Sequence, residues 1–276
     1  RDFMSEHGFD YPVVLKPDVG QRGAGVAIAE SETDAEAYLA DAAWDCIAQE
    51  YVSGDEFGIF YVRYPGQETG TIFSITDKQL PALVGDGRRT LEQLILADDR
   101  AVCMARFYLN LHRDRVYDVV PEGERIQLVR IGTHCRGAVF LDGNHLRTPE
   151  LEAVIDRVSR TYDGFYFGRY DLRAASPEAL SRGESFKIVE LNGVTSEATH
   201  IYDPKHSLLN AWRTLMEQWR IAFEIGALNA GNGTEIIPFG RLMRLVLDFD
   251  APHIPASNVS STTSEQDDDR DYDSGG

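Results

Sequence analysis

The stretch Gly168-Arg169-Tyr170-Asp171, taken together with Val189-Glu190-Leu191-Asn192-Gly193, says more about the fold than any other part of the chain. Both stretches alternate polar and apolar side chains, which predicts β-strands. Successive side chains of a strand point to opposite faces, so Arg169 and Asp171 share one face. The two stretches are therefore predicted to be strands of one sheet that carries charged groups on one side.

The second stretch adds two polar groups to that side. Glu190 and Asn192 share one face of their strand, while Val189 and Leu191 are predicted to point into the core. If the strands pair, Asp171 becomes a third oxygen donor. Oxygen ligands of this kind suit Mg²⁺ or Mn²⁺, which would keep water ligands and bridge nucleotide phosphates. The alternative is an exposed polar sheet face that carries only an Arg–Asp ion pair.

A glycine-rich segment follows the first predicted strand, residues 11–16. Lys16 ends that strand, and three glycines in Gly20-Gln21-Arg22-Gly23-Ala24-Gly25 let backbone N–H groups approach a ligand closely. The positive charges of Lys16 and Arg22 strengthen the prediction of a phosphate-binding loop. It is not a Walker loop, because the lysine precedes the glycines and no helix pattern follows them. A glycine-rich hairpin with a surface lysine is the alternative.

A third block, Gln49-Glu50-Tyr51-Val52-Ser53-Gly54-Asp55-Glu56, ends a predicted strand in a short acidic turn. Exposed backbone amides at such a turn can form hydrogen bonds with the edge of an adenine ring. A carboxylate just past Gly54 can accept hydrogen bonds from both ribose hydroxyls. An ordinary solvated turn between two strands is the alternative.

The three blocks, in this order and at these separations, resemble the ATP-grasp superfamily. The resemblance is strongest to its carboxylate–amine ligases, such as the D-alanine–D-alanine ligase and peptide-ligase groups, and covers nearly all of residues 11–250. It implies an ATP-grasp fold, with nucleotide bound between two α+β lobes. The mixed order of hairpins and helices by itself also favours α+β layers. Complete members carry an N-terminal substrate domain ahead of the lysine strand; here that domain is missing, so we expect a fragment.

The resemblance implies a role for each block. Lys16 matches the lysine that contacts phosphate, and Lys78 resembles a second phosphate-binding lysine. Arg169 matches a catalytic arginine beside the transferred phosphoryl group. The remaining implied positions are Gly20, Gln21, Arg22, Gly23, Ala24 and Gly25 in a flexible lid over the triphosphate; Gln49, Glu50, Tyr51 and Val52 in the adenine-contacting hinge; Glu56 at the ribose; and Asp171, Glu190 and Asn192 as the metal triad.

The implied organisation is one ATP-grasp domain over residues 1–250, with a lid-bearing lobe at about 11–56 and a metal-bearing lobe at about 57–250. The implied function is an ADP-forming ligase that makes a C–N bond through an acyl phosphate. ATP and Mg²⁺ (or Mn²⁺) are the implied cofactors, and small carboxylates and amines of amino-acid or peptide type are the implied substrates. A non-catalytic ATP-binding module and an ATP-grasp phosphotransferase stay open as alternatives.

Composition limits the partners. The 276 residues contain 45 acidic and 27 basic side chains, for a net charge of −18, which repels phosphate backbones and disfavours nucleic acid. No apolar run approaches the ~18 residues of a membrane span, so no membrane partner is predicted. Three widely spaced cysteines fit a reducing compartment, and we expect a cytoplasmic protein. A homodimer is left open as the assembly.

Two further predictions concern the C-terminal part of the chain. Residues 251–276 hold six acids, one base and almost no large apolar side chains, which predicts a disordered acidic tail. Trp212, Trp219 and Phe223 recur at helical spacing and are predicted to lie in the core.

Overall fold

A computed structural model describes residues 2–20, 23–132 and 136–247 of the chain. These residues form two units, a smaller one that ends at Tyr51 and a larger one that begins at Val52. The unit boundary therefore falls a few residues before the lobe boundary expected near Glu56. Gln21 and Arg22 of the predicted lid, and the predicted acidic tail, lie outside the described residues and stay predictions.

The smaller unit is a three-stranded antiparallel sheet with two helices. The strands on either side of the glycine-rich segment form an antiparallel hairpin, because Val13 of the first strand pairs with Ala29 of the second. Val13 and Leu15 are buried and pack against Ala29 and Ala35, which gives this unit its own small core. Its elements are α1 Asp2–His7, β1 Val13–Pro17, β2 Ala27–Ala29, α2 Glu32–Asp41 and β3 Cys46–Glu50, with the strands in the order β2-β1-β3.

The larger unit is built on a five-stranded sheet whose strands all pair antiparallel. Antiparallel strands with helices packed on the sheet confirm the predicted α+β class. The strands in spatial order are β10 Phe186–Asn192, β9 Phe167–Ala174, β4 Asp55–Val62, β5 Thr71–Gln79 and β8 Val139–Asp142; β6 Ala82–Val84 and β7 Arg125–Gln127 form a separate pair; and the helices are α3 Leu91–Ala97, α4 Ala105–Leu111, α5 Pro149–Arg160, α6 Pro177–Ser181, α7 Leu208–Gly231 and α8 Phe239–Leu247.

Local sequence signals fix where several of these helices begin. Thr90 and Gln93 form a capping box at the start of α3, each side chain accepting a hydrogen bond from the other's backbone N–H. Thr148 caps α5 by accepting from the backbone N–H of Leu151, and Pro149 occupies the first helical position.

The two faces of the five-stranded sheet differ in character. On one face Phe57, Ile59 and Tyr61 of β4 are buried with Leu151 and Ile155 of α5 in the main apolar core. Alternation along β4 sends the intervening side chains to the opposite face. That opposite face is therefore free to carry polar groups wherever no helix covers it.

The opposite face is divided between an apolar half and a polar half. Phe60, Val62 and Phe167 form the apolar half and pack against Ile221 and Ile225 of α7. The remaining positions of β4, β5 and β9 on this face are mostly charged. The sheet thus supports a core on one side and presents a charged surface on part of the other.

The predicted strand pairing is confirmed, although one side-chain prediction is wrong. Strands β9 and β10 pair antiparallel, with Asp171 opposite Glu190, but the register shifts between Ile188 and Glu190. Such a bulge leaves an extra residue on one strand and bends it locally. Strand β10 also lies at the sheet edge, and Leu191 is 43% exposed there. Leu191 therefore does not enter the core as its alternation predicts.

The prediction that the α7 aromatics lie in the core is also wrong. Trp212, Trp219 and Phe223 are each more than half exposed, and the buried face of α7 carries Gln218 and Ile221 instead. The helix has apolar residues on two sides, and helical periodicity alone does not say which side meets the sheet.

Candidate functional site

The polar half of the sheet brings together a set of charged side chains from three adjacent strands. Glu56 of β4 is opposite Lys78 of β5 on one side and Arg173 of β9 on the other. Lys78 Nζ donates to Glu56 Oε1 at 3.1 Å, and Arg173 Nη2 donates to Glu56 Oε2 at 3.1 Å. Both oxygens of this carboxylate are therefore held by cations.

Asp171 is the second carboxylate of this set. Lys78 Nζ lies 3.1 Å from Asp171 Oδ2, and Arg169 Nε donates to Asp171 Oδ1 at 2.8 Å. We call Glu56, Lys78, Arg169, Asp171 and Arg173 the charged cluster. Their side chains are only 4 to 15% exposed, so their charges interact in a region of reduced dielectric.

The protonation of Asp171 follows from two opposing effects. Burial disfavours the charged carboxylate, but the positive charges of Lys78 and Arg169 outweigh it. The pKa of Asp171 is therefore lowered below its usual value. The carboxylate stays ionised at neutral pH, as a metal ligand must be.

Gly58 makes room for this ion pair. It lies on β4 opposite Asp171, and a Cβ atom there would be 3.2 Å from Arg169 Cδ and 3.5 Å from Asp171 Oδ1. The first distance is tight enough that Arg169 would have to move by a few tenths of an ångström, whereas the second is ordinary van der Waals contact. The glycine therefore leaves space for the Arg169 side chain beside Asp171.

The predicted metal triad is brought to one region of β9 and β10. Asn192 Nδ2 donates to Asp171 Oδ2 at 3.3 Å, and Glu190 is opposite Asp171 in the strand register. Glu190 is exposed on an edge strand, not on a core strand as its apolar neighbours predict. Within residues 2–20, 23–132 and 136–247, no three His, Cys, Asp or Glu side chains are grouped closely enough to hold a metal.

The donor chemistry of this region nevertheless fits a hard divalent cation. Asp171 and Glu190 supply carboxylate oxygens, and the amide of Asn192 supplies a third. Lys78 and Arg169 now engage both oxygens of Asp171, so a cation can use that carboxylate only when these two side chains turn elsewhere. The phosphates of a nucleotide are groups to which they could turn.

A loop after β10 closes one side of the charged cluster. The backbone oxygen of Glu197 accepts from Arg169 Nη1 at 3.0 Å, which fixes the guanidinium from the side away from Asp171. The hydroxyls of Thr76 on β5 and Thr199 lie 3.0 Å apart and hold the loop to the sheet. This loop therefore helps to orient Arg169.

Gln218 of α7 fixes the same loop from behind. Its side-chain oxygen accepts from the backbone N–H of Ala198 at 2.9 Å, and its Nε2 donates to the oxygen of Ser196 at 3.0 Å. Gln218 is 1% exposed, so both contacts are shielded from water. Through the segment that contains Glu197, this buried amide supports Arg169.

In the smaller unit, the structure brings together Lys16 and Gln49. Lys16 Nζ donates to Gln49 Oε1 at 2.8 Å across strands β1 and β3. Gly23 and Gly25 have positive φ angles of 73° and 70°, which form a turn before β2. Of the predicted lid, Gly20, Gly23, Ala24 and Gly25 are described, and of the predicted hinge Gln49, Glu50 and Tyr51 belong to this unit.

The predicted hinge residue Val52 and ribose residue Glu56 belong to the larger unit. The backbone oxygen of Val52 accepts from Arg173 Nη1 at 3.0 Å, so Arg173 joins Val52 to the charged cluster. Glu56 lies inside β4 with both carboxylate oxygens bound by cations, not in a free turn. In this structure Glu56 is a partner of Lys78 and Arg173, and its ribose contact stays a prediction.

Two residues of this site, Arg173 and Gln218, belong to none of the motifs identified in the sequence. Arg173 follows Arg169 and Asp171 at the same two-residue spacing on β9, so strand alternation alone could have found it. Gln218 gives no such signal, because a polar residue in a helix is usually exposed, and only the packing of α7 shows that it is buried.

No family model matches the chain, and no curated protein does. Solved structures similar to it include a bifunctional glutathione synthetase from Pasteurella multocida, at 15% identity and a TM-score of 0.42 over 79% of this chain and 32% of that one. A D-alanine–D-alanine ligase from Bacillus anthracis is similar at 14% identity and a TM-score of 0.40 over 83% of this chain and 59% of that one. This chain therefore spans less than two thirds of either structure.

In the described part of the chain, no helix is both long enough and apolar enough to cross a bilayer.

Proposed function

We propose that this chain acts in an ATP-dependent, ADP-forming carboxylate–amine ligase of the cytoplasm. A carboxylate oxygen takes the γ-phosphoryl group of ATP, which releases ADP and leaves an acyl phosphate. The nitrogen of an amine then attacks the acyl carbon, phosphate leaves, and the nitrogen loses a proton to give an amide. Amino acids and short peptides are the proposed substrate class.

The charged cluster is the observation that carries this proposal. It contains three cations, Lys78, Arg169 and Arg173, against two carboxylates, and it lies in a chain whose net charge is −18. Burying three cations beside only two carboxylates leaves an excess positive charge, which is costly unless another anion balances it. A triphosphate is an anion of suitable charge, and the motif resemblance independently suggests ATP.

The cations of the cluster would solve the main electrostatic problem of the reaction. A carboxylate substrate and the triphosphate are both negative, so their approach is opposed unless positive charge lies between them. Lys78 and Arg169 would turn from Asp171 to phosphate oxygens and offset the charge that develops on the transferred group. Arg169 would remain oriented by the backbone oxygen of Glu197.

Asp171 would then be released for a second task. With Glu190 and Asn192 it would hold Mg²⁺ or Mn²⁺ through oxygen atoms. The bound cation would supply charge neutralisation at the phosphates. Because the same carboxylate now pairs with Lys78 and Arg169, we expect the cation to bind weakly without nucleotide and tightly with it.

The smaller unit would contribute Lys16, the glycine segment and the hinge residues to nucleotide binding. Lys16→Ala should weaken ATP binding by about 1.5–3 kcal/mol, the usual contribution of a charge-assisted hydrogen bond. Isothermal calorimetry measures this change directly. Lys205→Ala is a matched control, since the Lys205 side chain is 81% exposed, and equal ATP affinity of the two variants would remove Lys16 from the site.

Hydroxylamine trapping tests the reaction itself. The chain is incubated with ATP, Mg²⁺ and a panel of amino acids and dipeptides, and both ADP and hydroxamate are measured. Hydroxylamine attacks an acyl phosphate as an amine does, so hydroxamate formed only with ATP and a carboxylate supports the ligase. ADP without hydroxamate indicates a phosphotransferase, and nucleotide binding without ADP formation indicates a non-catalytic module.

A further inference from the structure

Helix α7 has two apolar faces, and only one of them is covered. Ile221 and Ile225 are 6% and 5% exposed and pack against the sheet. The other side carries five bulky side chains that are all more than half exposed. These residues, which we call the outer seam, are Leu209 (73%), Trp212 (54%), Met216 (68%), Trp219 (53%) and Phe223 (78%).

The spacing of the outer seam is that of a helix that packs against another helix. Its members follow one another at intervals of three, four, three and four residues, which is the a/d pattern of a coiled coil. This spacing averages 3.5 residues, so the five side chains stay on one side of α7 through about four turns. Sheet or loop partners do not require this regularity, whereas a facing helix does.

The size of the outer seam matches a stable interface. A large aromatic side chain buries about 150–250 Å², and three of the five members are aromatic. With more than half of each of the five side chains exposed, the seam offers on the order of 600 Å² of apolar surface, at the lower end of the roughly 600–1,000 Å² that a stable interface buries on each partner. A standard interface buries about 800 Å² on each partner.

Charges along the helix also limit what can cover the seam. Arg220 Nη1 bonds Glu224 Oε1 at 2.6 Å and its Nη2 lies 3.8 Å from Glu217 Oε1, so the ion pairs beside the seam are completed within the chain. An anionic lipid surface attracts helices whose polar face carries unpaired Lys and Arg, whereas Arg220 beside this seam is already paired with two glutamates. An apolar protein helix is therefore the occupant that fits.

We propose that the outer seam of α7 is the dimer interface of this protein, and that its partner is the same seam of a second copy. A two-fold axis requires one patch that is complementary to itself. A straight heptad seam meets this requirement, because each apolar side chain inserts between those of an identical helix. The proposal concerns assembly and is independent of the ligase reaction.

The high charge of the chain gives this dimer a distinctive salt dependence. Two copies of net charge −18 repel each other, and the repulsion is screened as ionic strength rises. The apolar contact itself is not weakened by sodium chloride. The dissociation constant should therefore fall as salt is added, whereas an interface held by ion pairs would weaken.

Sedimentation equilibrium of the 276-residue chain tests the proposal. The expected mass is twice 30.9 kDa, about 62 kDa, with dissociation on dilution and tighter association at higher salt. Met216→Glu places a charge in the middle of the seam and should raise the dissociation constant about tenfold or more. Tyr117→Glu is the matched control, because Tyr117 is 75% exposed outside α7, and it should leave the dimer unchanged.

Three results would overturn the proposal. The wild-type chain could sediment as a monomer at every concentration and salt, as it would if α8 or another segment of its own covered the seam. Met216→Glu, with unchanged helical circular dichroism, could dimerise as tightly as the wild type. A dimer that weakens as salt rises would place the interface elsewhere, and this last measurement needs no variant at all.

Discussion

Lys78→Met removes the cation that two buried carboxylates share. The Lys78 side chain is 4% exposed and lies 3.1 Å from both Glu56 Oε1 and Asp171 Oδ2. Methionine keeps most of the length and the apolar stem of lysine but carries no charge. The change therefore isolates the electrostatic contribution of Lys78 to the charged cluster.

The expected loss of stability depends on the ion pairs that the two carboxylates retain in the variant. Removing one partner of a buried ion pair typically costs about 3–5 kcal/mol. Glu56 retains Arg173 and Asp171 retains Arg169, so we expect the lower end, about 3 kcal/mol. With a urea slope of about 2 kcal/mol per molar, the unfolding midpoint should fall by about 1.5 M.

Urea unfolding at several pH values measures this cost and its cause. Because Lys78 helps to lower the pKa of Asp171, the variant should have a higher pKa there. The wild type loses the stability due to Asp171 as pH falls through that lowered pKa, whereas the variant loses less. The stability difference should therefore stay nearly constant between pH 7 and 5 and shrink as pH falls below 3.8, the ordinary pKa of this carboxyl, through the lowered pKa of Asp171.

Lys205→Met is the control for a lysine whose own side chain is exposed. Its Nζ lies 3.8 Å from Asp203, and its side chain is 81% exposed, so we expect a change within about 0.5 kcal/mol. Equal urea midpoints for the two variants, or a difference between Lys78→Met and wild type that does not change with pH, would refute the electrostatic account of the cluster.

Three further predictions concern the proposed metal ligands, the contacts of Gln218 and the buried side chain of His200. Glu190→Gln keeps the size of a proposed metal ligand but removes its charge, so Mg²⁺-dependent ADP formation should fall about tenfold or more; unchanged turnover in a coupled ADP assay would remove Glu190 from the metal set. Gln218→Leu leaves the backbone N–H of Ala198 and the backbone oxygen of Ser196 unpaired, which should lower the free energy of unfolding by about 1–3 kcal/mol for each buried group. A decrease of less than about 0.5 kcal/mol in urea unfolding would show that water reaches these two groups. Burial lowers the pKa of His200, so just below pH 6.5 the unfolded chain binds more protons than the folded chain, and the free energy of unfolding decreases as pH falls through that range. His200→Asn should reduce this pH dependence of stability. An unaltered pH dependence between pH 7 and 5 would assign it to another group.

Local physics explains why much of the fold can be predicted from the sequence. Strand alternation predicts that Arg169 and Asp171 share one face, and the glycines between β1 and β2 allow the turn of the β1–β2 hairpin. The caps of α3 and α5 are satisfied within four residues of chain, so no distant contact is needed to specify them. These features depend on neighbours in sequence, which is the information that a single chain carries.

Tertiary structure alone decided which faces are covered and how the charges pair. Periodicity marks Trp212, Trp219 and Phe223 as one apolar side of a helix, but packing against the sheet selected the side with Ile221 instead. The pairing of Lys78 with both carboxylates depends on the order of strands β5, β4 and β9, which no local pattern encodes. The sequence determines which side chains share a strand or helix face; strand order and burial determine which charges meet, because those contacts join residues far apart in the chain.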